Sequence, residues 1–215
     1  MLLQPANAWS SLAFLAAGIW IVLGARRAAA RGAEQTFYAV AVASNALGGI
    51  LHHGTRWSGS RWVHDVAILA VLGFIAAFGV ARRLERPTAW TMRAYALVLA
   101  VSGVFLAALP DSAHGLFAIV GAGAVGSELL QYRHELPALR REGITARRAA
   151  RMGVAVALLL GATAFWVGLG GAPLCNPASS FQWHAVWHVL AALGMALYAY
   201  GAIEPHPAPS VSLQR

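Results

Sequence analysis

Apolar residues in this chain neither alternate with polar ones at the two-residue period of a strand nor form a single helical stripe; they run on continuously, broken by short polar, arginine-bearing or Pro/Gly-containing segments. Seven such runs can be marked: Ala8 to Gly24, Thr36 to His53, Val63 to Ala81, Tyr95 to Leu109, His114 to Gln131, Met152 to Gly170 and Trp183 to Ala202. A helix needs about 20 residues to cross the hydrocarbon layer, and the runs meet or approach that length. The fourth is the shortest and begins just after Arg93. Small residues recur within them, as in GLFAIVGAGAVG, at positions that let membrane helices approach closely. Continuous rather than alternating apolarity argues against a closed β-barrel. The pattern predicts an all-α membrane protein, a bundle of seven transmembrane helices over residues 1–203, followed by a Pro-rich disordered tail, EPHPAPSVSLQR, over 204–215. No signal-peptide pattern precedes the first run, so that helix is expected to stay in the bundle.

Composition narrows the class further. With 59% hydrophobic and only 11% charged residues among 215, the chain is too apolar for a soluble domain. Its net charge of +8 comes from arginine alone, since all 16 basic residues are Arg. Arg26, Arg27, Arg31, Arg82, Arg83, Arg86, Arg93, Arg133, Arg140, Arg141, Arg147, Arg148, Arg151 and Arg215 fall in one set of alternate segments, and only Arg56 and Arg61 in the other. The positive-inside rule then puts the amino terminus outside and the carboxyl terminus in the cytoplasm. The same distribution assigns LRREGITARRAARM to an anionic-lipid surface, and no nucleic-acid partner is expected. An Arg-only basic content with abundant Ala suggests a GC-rich bacterial genome, hence an integral protein of the bacterial inner membrane.

The chemistry concentrates in histidines. His184 and His188, in FQWHAVWHVLAALG, are four apart and share a helix face, which is metal-ligand spacing. On the topology above, His52-His53 close the second helix, His64-Asp65 open the third, and His184 and His188 open the seventh, all at the outer end of the bundle. The topology was fixed without them, so their convergence is independent support for one site. Polar groups inside a span are costly and usually pair or bind something. His52, His114, His134 and His206 read more simply as interfacial or hydrogen-bonded residues, and Glu128 as a structural partner of the Arg-rich loop. Trp57, Trp62, Trp183 and Trp187 suit an interfacial aromatic belt. The single Cys175 excludes an internal disulfide.

Four motifs in order resemble the alkaline ceramidase family and its wider superfamily, which includes adiponectin receptors and haemolysin III-like proteins. NAWSSLAFLAAG is similar to the family's opening Asn-x-x-Ser-Asn helix, GGILHHGT to its Gly-Ser-x-x-Phe-His-x-Thr segment, Asp65 follows at close to the family distance, and HAVWHVL matches the closing His-x-x-x-His. The resemblance covers nearly the whole chain. It implies a seven-helix hydrolase in which His53, His184 and His188 hold Zn2+, Asp65 activates the metal-held water, and a ceramide-like lipid enters sideways from the bilayer. His52 and His64 become candidates for orienting the ligands. Gly49 stands where the family has serine, and Ser44, nine residues before His53, lies on roughly the opposite helix face. The acidic stretch of the animal calcium site has no counterpart before the first helix, where Gln4 stands roughly in place of Glu, so no calcium is expected. Two alternatives stay open: a haem- or copper-binding electron carrier, and a receptor-like protein whose zinc only staples helices.

Overall fold

The computed structural model describes residues 2–27, 33–55, 57–168 and 179–203. Every regular element among them is helical: α1 (Pro5–Ser10), α2 (Leu12–Arg27), α3 (Ala33–Gly54), α4 (Ser60–Arg83), α5 (Thr88–Ala108), α6 (Ala113–Glu142), α7 (Ala146–Val167) and α8 (Trp183–Tyr198). A short 3-10 turn, Pro110–Ser112, precedes α6, and a π-turn, Ala199–Ile203, extends α8. Long helices are the form such apolar runs must take in lipid, where every backbone N–H and C=O has to find its partner inside the segment. The boundaries differ from the hydropathy pattern in a consistent way. α5 begins seven residues before Tyr95, and α7 six before Met152, because polar and basic first turns remain helical beyond the apolar run. The tail 204–215, Cys175, His206 and the expected end of the sixth run at Gly170 lie outside the described residues.

Among the described residues, six helical stretches are long and apolar enough to cross a membrane: Pro5–Gly24, Ser60–Arg83, Thr88–Ala108, Pro110–Pro137, Ala146–Val167 and Trp183–Ile203. The 22-residue α3 is less apolar because it carries Gln35, Ser44, Asn45, His52 and His53. It is also a central helix, packed between α2 and α4 and touched by α1. Asn45 bridges two helices: its Nδ2 donates to the carbonyls of Ala41 at 2.9 Å and Ala67 of α4 at 3.1 Å. α4 in turn carries α5 and α6, while α2 leans on α8 and α8 on α7.

The bundle is apolar outside and tightly packed with small residues inside. Ile119, Leu159 and Trp166 are 70% or more exposed, a surface that suits lipid rather than water. Inside, the Tyr38 and Phe74 rings pack tilted at 5.2 Å beside Ile21, Val42, Val71 and many alanines. Helices approach closely where side chains are absent. A Cβ on Gly48 would lie 2.9 Å from the backbone of His64, and one on Gly18 would lie 2.9 Å from the carbonyl of Ala39. This is the small-residue contact of membrane bundles.

One end is tied by a carboxylate. Glu128 of α6 accepts from Arg82 of α4 at 3.2 Å, Arg151 of α7 at 3.2 Å and the Tyr198 hydroxyl of α8 at 2.9 Å. Arg151 also pairs with Glu135, and Arg82 donates to the Ala202 carbonyl in the π-turn at 3.0 Å. Four helices therefore meet at one side chain. Glu128→Gln is expected to cost about 2–4 kcal/mol, since it leaves two partly buried guanidiniums under-compensated. Tyr198→Phe, which removes a single hydrogen bond to a charged acceptor, is expected to cost about 1.5–3 kcal/mol. Thermal unfolding of the two detergent-solubilised variants would show that order.

Candidate metal centre

The opposite end of the bundle gathers the histidines. α3 ends at Gly54 with His52 and His53 in its last turn, and α4 resumes at Ser60 after a short connection. That tight return sets His64 and Asp65 in the first turns of α4, beside the end of α3. α8 starts at Trp183, so His184 and His188 enter from its first two turns on one face. The ring centroids lie 4.7 Å apart for His184 and His188, 5.0 Å for His53 and His184, and 5.2 Å for His53 and His188.

One nitrogen from each of His53, His184 and His188 lies within 4.8 Å of the others, close enough for the three to bind one metal ion. Whether such an ion fits can be tested on the rings themselves. His53 and His188 are buried, and the Nε2 of His53 is a buried atom with no hydrogen-bond partner. An unpaired imidazole nitrogen in an apolar interior costs free energy unless something takes its lone pair. Three imidazoles at this spacing also match the donor set of a catalytic metal site that keeps one position open. The residues fit a metal ion.

Asp65 is buried and stands beside this trio without joining it. Its Oδ1 lies 2.9 Å from His64 Nδ1, and its Oδ2 lies 3.7 Å from Arg61 Nε, one turn earlier on α4. His64 stacks on His52 at 4.6 Å and meets His53 edge-on at 5.7 Å. His52 touches His53 at 5.0 Å, so five imidazoles form one connected cluster with the carboxylate at its edge. His114 packs on Phe117 instead, away from the cluster. Trp187 packs on Phe165, which also contacts His184 at 5.4 Å, whereas Trp57 and Trp62 are exposed.

The N-terminal segment closes over the site, a role the sequence pattern did not reveal. Gln4 Oε1 lies 2.8 Å from His53 Nδ1, and the Gln4 amide donates to the His53 carbonyl at 2.9 Å. His188 Nδ1 faces Ser10 Oγ at 2.9 Å, the Asn7 carbonyl at 3.1 Å and Ser11 Oγ at 3.3 Å. The Asn7 N–H donates to Gln182 Oε1 at 3.2 Å, tying the segment to the start of α8. The only local signal is that Gln4, Asn7 and Ser11 share the i, i+3, i+7 spacing of one helical face; it omits Ser10 and does not say what that face meets.

Gly49 acquires a local reason. A Cβ there would lie 2.8 Å from the Cβ of the fully buried Ser11 and closer still to its hydroxyl. Position 49 is thus bare because Ser11 fills the space from the neighbouring element. Ser44 bonds its own helix, donating to the Ala41 carbonyl at 2.8 Å. Gly49→Ala is expected to destabilise by about 1–3 kcal/mol through this overpacking. Because the two residues share one space, Gly49→Ala/Ser11→Gly should recover most of the loss, a coupling that thermal unfolding of both single variants and the double variant measures.

No protein-family model, curated protein or solved structure matches the chain.

Proposed function

We propose that this chain is a seven-span membrane amidohydrolase that uses zinc to cleave the amide bond of a ceramide-like N-acyl lipid. The observation that carries the reading is the buried trio His53, His184 and His188, with a carboxylate beside it, at one end of a bundle whose flanks are apolar. The order of motifs shared with the alkaline ceramidase family supports the same chemistry. In this reading α3 is the remaining span, its polar residues facing neighbouring helices. The Arg-rich segments lie in the cytoplasm and the histidine end faces the outer side of a bacterial inner membrane.

His53, His184 and His188 would hold the zinc ion, which when bound supplies hydroxide near neutral pH and polarises the amide carbonyl. Asp65 takes the proton of the attacking water on its carboxylate and returns one to the leaving amine. His64 Nδ1 and Arg61 keep that carboxylate in place. The exposed apolar faces keep the acyl chains in lipid while the amide reaches the histidines. Burial of the cluster limits bulk water around the reacting bond.

Metal analysis of the purified protein, paired with release of fatty acid from ceramides and other N-acyl lipids, tests this directly. His188→Ala is expected to lose both zinc and turnover. Asp65→Asn is expected to keep its zinc and lose about 10²–10⁴-fold in turnover. Undiminished turnover in Asp65→Asn would remove Asp65 as the base, and a Soret band in the purified protein would replace the zinc reading with a haem one.

A further inference from the structure

We infer that residues 4–11 are the shell that sets the tautomers of two metal ligands: Gln4 and the Asn7 carbonyl hold protons on the Nδ1 atoms of His53 and His188 and so present both Nε2 lone pairs to the ion. The inference rests on the trio binding a metal and does not depend on amide hydrolysis.

The carbonyl contact assigns His188. Three oxygens surround its Nδ1: Ser10 Oγ, Ser11 Oγ and the Asn7 carbonyl. The carbonyl can only accept. Each hydroxyl can rotate and has that same carbonyl within reach, Ser10 at 3.0 Å and Ser11 at 2.8 Å, so each is free to accept from the ring. A ring nitrogen 3.1 Å from an oxygen that can only accept carries the proton itself, so Nδ1 is the donor and the serines can take up the same proton.

His53 follows by a different route. An amide side chain can face a ring with either its oxygen or its nitrogen, and here the oxygen faces it. Gln4 Oε1 lies 2.8 Å from His53 Nδ1 and accepts from Asn7 Nδ2 at 2.9 Å. Nδ1 is then the donor, and Nε2 is the bare atom buried without a partner. Asn7 thus serves both ligands, one through its side chain and one through its backbone. The segment is anchored at both ends, by the Gln4 amide on the His53 carbonyl and by the Asn7 amide on the buried Gln182.

Partners of this kind fix ring orientation and raise ligand basicity, and losing one typically costs 10–100-fold in metal affinity. Gln4 is a positioning residue at the outer edge of the site, so it can be changed without touching a ligand. Zinc dissociation constants would be measured by chelator competition on the full chain in detergent, for wild type, Gln4→Ala and Gln4→Glu. Gln4→Ala is expected to weaken zinc about 10–100-fold. Gln4→Glu, which keeps an accepting oxygen, is expected to stay at or above wild-type affinity. Imidazole 15N spectra of the metal-free protein give a second readout: Nδ1–H forms at His53 and His188 in wild type, with the preference lost at His53 alone in Gln4→Ala. Equal weakening in both variants, or an Nε2–H form in wild type, would overturn the assignment. Wild-type protein that shows these tautomers yet binds no zinc would instead defeat the metal reading.

Discussion

A ring nitrogen can be offered to a cation from inside an apolar bundle only if the other nitrogen of that ring is already satisfied. Without a partner at Nδ1, a buried imidazole could turn over or shift its proton, and the lone pair would point elsewhere. Gln4 and the Asn7 carbonyl supply that partner for His53 and His188, and much of the histidine end is arranged around them. α1 exists as a separate short helix at this place. Ser11 occupies the space beside Gly49, and Gln182 at the start of α8 is spent on holding Asn7. The bareness of Gly49 and the position of the N-terminal segment are one fact seen from two helices.

The helices were legible because an apolar run long enough to span a bilayer has few alternatives, and errors fell at their ends. Polar first turns such as ARRAAR before Met152 carry no hydropathy signal, yet Thr145 caps them by accepting from the Arg148 N–H. α3 shows the opposite effect. Its polar residues leave it outside the set of stretches apolar enough to cross a membrane, and those same residues make it central, since Asn45, His52 and His53 all face neighbours.

Within the site, the histidines were readable from spacing and from the side of the bundle on which each helix end falls. The remaining partners were not. Gln4 and Ser10 act through contacts with residues 49 and 178 positions away, and no local pattern records such distances. Glu128 was legible as a partner for arginines, but its choice of Arg82 and Arg151, and the added hydroxyl of Tyr198, depend on how four helices converge. Asp65 keeps its expected neighbourhood, with the difference that its nearest contact is His64 rather than one of the three close imidazoles.

The two ends of the bundle are fastened by different kinds of bond. Around Glu128 the fastenings are charge-assisted and link α4, α6, α7 and α8, whereas around His53 and His188 they join neutral groups. Charge-assisted hydrogen bonds are roughly twice as strong as neutral ones. Parting α4, α6, α7 and α8 around Glu128 therefore costs more per bond than lifting residues 4–11 off the two rings they touch, so the first contacts to give way under load are those of the N-terminal segment.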